Sequence, residues 1–568
     1  MNKHTDSIKI QYERWLANES MPRDLMEGLL TMRGDHDKIE EAFYKDLEFG
    51  TSGLRGIMGP GSNRMNSFVV ARVSQGLSDY INRTLKNSEQ GKNPSVVISY
   101  DSRNNSKKFA EITAGVLSAN GIKAYIFEKL TPVSVLSYAI RHMSCDYGVM
   151  ITASHNSREY NGYKVYNSRG GQILEDEAAG ILAEIEKLDI FDDVKKATDE
   201  NVSHIGDELI NDYVKETLGK SLKGGEDYIK NLKVIYSPLN GTGRVPVTAL
   251  LKGIGVEQLT IVPEQEMPDG DFTTCPKPNP ERPEVYELGL ELLKREKADL
   301  LILTDPDCDR IGVADKEGVF TGNQLGMLLF DYICRHSKLP LGATAVRSIV
   351  SSPMLDAIAA EYGVRVENTL IGFKYIGEKM DLLKDRYVFG FEEGNGYLAF
   401  DHMRDKDGAS TAMLVCEMAA EYKAAGSDLR GGLKKLYKKY GIYGEKVINF
   451  VFEGREGLRR RSNVMAYLRG DVENCLQGHE IKSVIDYKTQ QKHFVDMGIG
   501  SYDKLPVADI LEYDVDKGQK FIIRPSGTEP NLKVYLFARS KTSGGVAKRI
   551  EKMEKEITRI VNEEQNEI

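Results

Sequence analysis

The sequence predicts an α/β protein made of three similar mixed-sheet α/β domains and a smaller C-terminal α+β domain. Three observations predict it. Short, almost wholly apolar runs of strand length alternate with longer amphipathic runs, the pattern of α/β units whose strands are mostly parallel. That alternation recurs in three successive blocks of similar size. In the last stretch it stops, and strand-like runs follow one another around a helical run. A chain of 568 residues has room for three or four domains and several buried cores.

The elements justify this in order. Residues 1–45 are helical in pattern and carry Trp15, the one tryptophan. A glycine-rich stretch, FGTSGLRGIMGPGSNRMN (49–66), gives the backbone conformational freedom. FVVARVSQGLSDYINRTL reads as a helix, and SVVISYDSR (95–103) as a buried strand ending in polar residues. A helix over 106–119, the strand KAYIFE and the helix TPVSVLSYAIRHM lead to DYGVMITASHN (146–156), again a strand with a polar end. The second block has the strand and loop NLKVIYSPLNGTG, the helix VPVTALLKGI, the strand VEQLTIVPE and the helix PEVYELGLELLKREK. It ends on ADLLILTDPDCDRIGVAD (298–315), an apolar strand running into acidic residues. The third contains the strand ATAVRSIVSS, the helix PMLDAIAAEYG, then RVENTLIGFKYIGEKM and YVFGFEEGNGYLAF (387–400). Last come VINFVFEG, helical RRSNVMAYLRGD, strand-like KFIIRPSGTEPNLKVYLFARS and a charged terminal helix that frays at its end. The expected domains are residues 1–205, 206–320, 321–440 and 441–568.

Composition narrows the function classes. Net charge is −9 with no long basic run, which argues against nucleic acid or a membrane as partner but leaves room for an anionic substrate held by a few placed Arg and Lys residues. The six cysteines (145, 275, 308, 334, 416 and 475) are scattered, with no CxxC pair, as expected of reduced thiols in a cytoplasmic protein. MNKHTDSIKIQYERWL lacks the apolar core of a signal peptide, and no apolar run approaches the ~20 residues that span a bilayer.

In open α/β folds, ligands bind beyond the carboxyl ends of strands. Four polar strand ends stand out. In TASHN (152–156) Ser154 is a nucleophile only if a base or metal activates it. A capping turn in which Ser154 and Asn156 satisfy backbone N–H groups explains this segment equally well. It lacks the GxSxG elbow of a hydrolase. His155 does not make a triad with the serine, since adjacent side chains diverge. In DPDCDR (305–310) the carboxylates of Asp305, Asp307 and Asp309 can converge on one hard cation, and three carboxylates plus a phosphate oxygen suit Mg²⁺. The glycine and glutamate of an EF-hand loop are absent. Arg310 can orient the carboxylates or reach a phosphate. RPSGTEP (524–530) is an anion nest with Arg524 attached, to which Lys533 can add charge. In GFEEGNGY (390–397) a glutamate on a glycine loop can accept bonds from sugar hydroxyls, although an ordinary exposed turn fits that segment as well.

Taken together and in this order, TASHN, DPDCDR and SGTEP resemble the α-D-phosphohexomutase superfamily, from FGTSGLRG to RPSGTEPNLKVY. The resemblance implies four domains around a central cleft, the first carrying a phosphoserine loop, the second a metal loop, the third a sugar loop and the fourth a phosphate loop. It implies that Ser154 carries the phosphoryl group. Asp305, Asp307, Asp309 and the phosphorylated Ser154 would bind one Mg²⁺ per chain. Arg55, Lys164 and Lys406 match catalytic positions near the reacting phosphate, Lys406 as an aid to proton transfer. Arg310, Gly372, Lys374, Glu392 and Gly394 match cleft and sugar contacts. Arg524, Ser526, Gly527, Thr528 and Lys533 match the site of the non-transferred phosphate. The implied reaction interconverts glucose 1-phosphate and glucose 6-phosphate through glucose 1,6-bisphosphate, which also serves as activator.

Two departures bear on the sugar. Ile371-Gly-Phe-Lys374 stands where Thr-Gly commonly precedes the aromatic residue, with Thr369 two residues earlier, and Glu392-Glu-Gly394 lacks a serine. Both look closer to the longer phosphoglucomutase and phosphopentomutase branch. Phosphopentomutase, phosphomannomutase and hexose-bisphosphate synthase activities therefore stay open, as does a catalytically silent sugar-phosphate-binding scaffold. The expected partners are small sugar phosphates, and the expected state is a monomer or weak dimer.

Overall fold

The computed structural model describes residues 3–51, 53–85, 93–470, 475–525 and 531–563. It divides into two compact units, Met1–Leu325 with Phe373–Ala425, and Gly326–Gly372 with Gly426–Ile568.

The first unit begins with three helices, Lys3–Leu16, Arg23–Thr31 and His36–Phe43. Trp15 anchors them: it is fully buried, and the rings of Phe43, Phe68 and Phe191 meet it edge-on at 5.4–5.7 Å, an arrangement the ring quadrupoles favour. A seven-stranded sheet follows, in the order β1 (Phe49–Gly50), β2 (Gly53–Ile57), β6 (Tyr160–Asn167), β5 (Tyr147–Ile151), β3 (Ser95–Tyr100), β4 (Lys123–Phe127) and β7 (Val202–Ile205). Strands β5, β3, β4 and β7 are parallel, while β6, β2 and β1 add antiparallel on one side. β3 and β5 are buried along their whole length, which is why SVVISY and YGVMI read as unbroken apolar runs.

The second sheet repeats the plan with β8 (Lys233–Ser237), β9 (Gln258–Ile261), β10 (Leu300–Thr304), β11 (Ile311–Asp315) and β12 (Gly318–Val319), in the order β12-β11-β10-β8-β9. Again the central strands are parallel and β11 and β12 return antiparallel. In the second unit β13 (Thr344–Ser348) and β14 (Arg365–Thr369) form a parallel pair. In the first unit β15 (Tyr387–Glu392) and β16 (Gly396–Leu398) form an antiparallel hairpin. The returning strand after each polar loop — β6, β11 and β16 — is a feature the apolar-run reading leaves unstated. Each of these three hairpin loops holds one non-glycine residue in the left-handed region, Ser154 (φ 51°), Cys308 (φ 55°) and Asn395 (φ 65°). That conformation costs about 1–2 kcal/mol per residue for an L-amino acid.

The remainder of the second unit is an all-antiparallel seven-stranded sheet of β17 (Ile442–Val451), β18 (Ile481–Asp486), β19 (Gln491–Phe494), β20 (Gly498–Gly500), β21 (Leu511–Val515), β22 (Gln519–Pro525) and β23 (Asn531–Ser540), in the order β17-β23-β22-β21-β18-β19-β20. The helices Gly454–Gly470 and Ser543–Glu563 share its core through Val464, Leu468, Met553, Ile557 and Ile560. β18 to β21 do not stand out as strands in the sequence, because they are short and polar residues or glycine interrupt their apolar positions. All six cysteines are free and buried. No helix among the described residues is long and apolar enough to cross a membrane.

One buried group gives the first unit a pH-dependent stability. His402 lies among Tyr138, Tyr213 and Phe400, with Nε2 2.9 Å from Thr217 Oγ1 and no hydrogen-bond partner at Nδ1. Burial, aided by Lys220, Arg141 and Arg404 and opposed by Asp401, pulls its pKa down to about 3. An unfolded histidine titrates near 6.5. Between those values the unfolded chain binds a proton that the folded one refuses. The stability contribution is therefore complete above pH 6.5 and is lost as pH falls toward 3, with a limiting slope of about 1.4 kcal/mol per pH unit. His402→Gln is expected to flatten the fall of thermal midpoint between pH 6.5 and 4.5; an unchanged profile refutes the assignment.

Candidate functional site

The first unit gathers the site from the ends of its sheets. Ser154 follows β5, and its left-handed backbone turns the side chain back toward the loop that follows β10. Thr152 sets that turn: its Oγ1 accepts from Ser154 N at 2.7 Å and donates to Asp101 Oδ2 at 2.6 Å. Ser154 Oγ then lies 3.0 Å from Asp305 Oδ2 and 3.1 Å from His155 Nδ1. The expectation that His155 diverges from Ser154 fails here, because the positive φ at Ser154 brings the neighbouring ring back over its hydroxyl. Burial, with Arg310 and Arg55 nearby, pushes His155 well below its ordinary pKa, so the ring is neutral.

The acidic loop between β10 and β11 brings one oxygen each from Asp305, Asp307 and Asp309 within 4.8 Å of one another, all buried. Asp305 Oδ1 accepts from the N–H groups of Asp309 at 3.0 Å and Arg310 at 2.9 Å, which closes the loop around its own first residue. Lys164 Nζ, carried by β6, sits 2.8 Å from Asp307 and 3.7 Å from Asp309. Lys406 Nζ is 3.0 Å from Asp309 and 3.4 Å from Asp405. Burial, then Asp307 and Asp309, push Asp305 well above the usual carboxylate pKa. At Asp309 burial pushes the same way, but Lys406, Lys164 and Arg310 outweigh it and hold the group below its usual value. Burial works against the Lys406 ammonium, yet Asp309, Asp405 and Glu392 raise its pKa above the ordinary lysine value.

The loop fits a divalent cation. Asp307 Oδ1 and Asp309 Oδ1 are buried with no hydrogen-bond partner, and buried carboxylate oxygens are normally satisfied. Three hard oxygen donors within 4.8 Å of one another match the preference of Mg²⁺.

Comparison with known proteins supplies the family. Residues 46–190, 211–318 and 321–440 match, in order, the models of phosphoglucomutase/phosphomannomutase alpha/beta/alpha domains I, II and III. A phosphoglucomutase of Staphylococcus aureus (strain MRSA252) is 32% identical over 557 residues, 95% of this chain and 98% of the relative. The chain belongs to the phosphoglucomutase/phosphomannomutase family. A second relative, the phosphoglucomutase of Staphylococcus haemolyticus (strain JCSC1435), is 33% identical over 510 residues, 88% of this chain and 91% of its own length. Two solved structures share the phosphoglucomutase/phosphomannomutase fold. A putative phosphomannomutase from Thermus thermophilus has a TM-score of 0.68 at 22% identity, covering 91% of this chain and 99% of its own. Pp63/parafusin from Paramecium has a TM-score of 0.69 at 18% identity, covering 91% and 95%.

In this family member the predicted site residues fall as follows. Ser154, the three aspartates, Lys164, Lys406 and Arg310 are linked by direct contacts, Arg310 standing 3.9 Å from Asp309 and 2.7 Å from Glu281. Arg55 donates to Asn156 Oδ1 at 2.9 Å, within the serine loop. Glu392 is close enough to raise the pKa of both Arg310 and Lys406. A Cβ at Gly394 would lie 2.9 Å from Glu281 Oε1, so the position where a serine was expected borders the Glu281–Arg310 pair. A Cβ at Gly396 would meet Lys406 Cδ at 2.2 Å, so the lysine passes over bare backbone there. Gly372 has φ 125°, a value that favours glycine. Lys374 is instead paired with Glu175 at 2.8 Å, an acceptor it shares with the Tyr375 hydroxyl at 2.6 Å. In the second unit, Arg524 and Lys533 stand directly opposite each other on β22 and β23, and Arg524 Nε is buried without a partner. Like charges in that register repel, an arrangement suited to an anion. Ser526, Gly527 and Thr528 lie outside the described residues.

Asp101, Arg103, Thr152 and Glu281 join the site without having been expected there, and His155 joins it against expectation. The signal for the first two was present: SVVISYDSR is a fifth apolar strand with a polar end. Arg103 is fully buried, pairs with Asp101 at 3.1 Å, and donates to the carbonyls of Ser154, Asn156, Ser157 and Tyr160.

Proposed function

We propose that the chain is a phosphoglucomutase that interconverts glucose 1-phosphate and glucose 6-phosphate through phosphoserine at Ser154 and a glucose 1,6-bisphosphate intermediate. The observation that carries this reading is Ser154 Oγ, 3.0 Å from one member of a buried aspartate triad whose other two members pair with Lys164, Lys406 and Arg310. A phosphoryl group on that oxygen meets cationic side chains from three separate segments, so its charge is neutralised where it is transferred. Bound Mg²⁺, held by Asp305, Asp307 and Asp309, would draw further charge from the phosphoryl oxygens.

The chain's own residues account for the rest. Phosphoserine donates to the free hydroxyl of the sugar phosphate, and the resulting bisphosphate returns its other phosphoryl group after turning over. On return, the Ser154 proton has acceptors within reach in Asp305 Oδ2 and His155 Nδ1. Lys406, kept protonated by Asp309 and Asp405, faces the same phosphoryl position as a cation and proton source. Glu392 accepts from sugar hydroxyls. Arg524 and Lys533, with Ser526, Gly527 and Thr528, hold the phosphate that is not being transferred.

Two positions favour a second reading, in which mannose or pentose phosphates are also turned over: Ile371 and Gly394 both depart from the commoner glucose pattern. The test is kcat/KM for glucose, mannose and ribose 1-phosphates, each primed with the matching bisphosphate. Glucose 1-phosphate is expected to be preferred by at least about tenfold, a difference of about 1.4 kcal/mol in transition-state binding. Preference for another sugar would move the chain to a neighbouring activity within the family, and inactivity on all three would leave the scaffold reading.

A further inference from the structure

Residues 267–282 touch both halves of the site and belong to neither loop. They run from the end of the helix Pro263–Glu266 to the 3₁₀ turn Pro283–Tyr286. At one end Phe272 is fully buried with φ 46°, and the Arg103 guanidinium lies 5.0 Å from its ring centroid, within the range at which a cation is held by an aromatic face. Asp269 closes the turn that presents this ring, its two oxygens accepting from the N–H groups of Asp271 and Thr273 at 2.9 Å. Asp271 in turn accepts from Asn104 Nδ2 at 3.0 Å and stands 3.7 Å from Arg158, which belongs to the serine loop. At the other end Tyr286 fixes Pro280 through its carbonyl at 2.7 Å, and Glu281 pairs with Arg310 at 2.7 Å.

The two loops these ends reach rest on different sheets. Arg103 binds three carbonyls of the serine loop and that of Tyr160 where β6 begins, while the Arg310 N–H closes the acidic loop on Asp305. A nucleophile and its charge-neutralising partners must be held to a fraction of an ångström, since a misplacement of about 1 Å costs about 10²-fold in rate. We infer that residues 267–282 form a strap that sets the serine loop in register with the acidic loop, Phe272 acting through Arg103 and Glu281 acting through Arg310. Both are positioning residues, and the role rests on the phosphomutase reading.

The test uses the full chain with Mg²⁺ and glucose 1-phosphate. Phe272→Ala is expected to lower kcat by at least about tenfold while KM moves less than about threefold, because it displaces reacting groups and touches no substrate. If Phe272 works through Arg103, the Arg103→Lys/Phe272→Ala double variant is no slower than Arg103→Lys alone, beyond about twofold. A Phe272→Ala enzyme within threefold of wild-type kcat, or a double variant whose loss is the product of the two single losses, overturns the strap. Should Phe272→Ala not fold, Glu281→Gln at the exposed end decides: at least a threefold lower kcat at unchanged KM and thermal midpoint supports the strap, and a smaller change overturns it. A wild-type chain inactive on every sugar phosphate would count against the phosphomutase reading; an active wild type with unaffected variants counts against the strap alone.

Discussion

Replacing Ser154 with alanine is expected to lower mutase kcat by at least about 10⁴-fold, because Ser154 is the proposed covalent carrier. The change is small in every other respect. It removes one hydroxyl whose bond to Asp305 the triad can lose without unpairing Lys164 or Lys406. The loop keeps its support from Thr152 and from Arg103. The thermal midpoint is therefore expected to stay within a few degrees of wild type, a loss of no more than about 1 kcal/mol for one hydrogen bond. Intact-mass analysis gives an independent readout: purified wild-type protein is expected to carry one phosphate, mapped by peptide analysis to Ser154, and Ser154→Ala is expected to carry none. Near-normal turnover by the variant would rule out a covalent route through this residue.

The second large effect concerns the aspartate triad. Chelation is expected to reduce activity by at least about 10³-fold, equivalent to about 4 kcal/mol of transition-state stabilisation, and added Mg²⁺ to restore it. The same ion should stabilise the fold. Three buried carboxylates without a cation repel one another, and two of their oxygens lack a partner. Saturation at about 100 times Kd adds about 2.7 kcal/mol, which raises the thermal midpoint by several degrees. Asp307→Asn keeps the side-chain volume but removes one charged donor, so its midpoint should respond weakly to Mg²⁺. Full activity after chelation, with a midpoint indifferent to Mg²⁺, would remove the metal from the account.

Much of the fold and site was legible because burial leaves a plain mark on sequence. β3, β5 and β10 are covered on both faces, so SVVISY, YGVMI and LLILT appear as apolar runs, and the polar residues that follow each one mark a loop at a sheet edge. β18 to β21 carry no comparable signal, because lysine, glutamate, aspartate, glutamine, histidine or glycine interrupts each of these short strands. The roles of Arg103, although its strand end is visible in SVVISYDSR, and of Glu281 were not legible for a different reason. Each acts across a long sequence separation, Arg103 on a loop beginning at Ser154 and Glu281 on Arg310. No local spacing encodes such a contact.

By itself the sequence determined the α/β class, from its alternating apolar runs, and a candidate metal set in three aspartates spaced along one loop, while Ser154 became a candidate phosphoryl carrier only through the joint resemblance of several motifs. Only the tertiary structure decided which groups meet. It brought Ser154 to Asp305, set Lys164 and Lys406 against Asp307 and Asp309, and turned His155 back onto the serine hydroxyl. The physical reason is that these relations depend on backbone handedness at a single residue and on the packing of two sheets. Neither is written in the composition of any one segment.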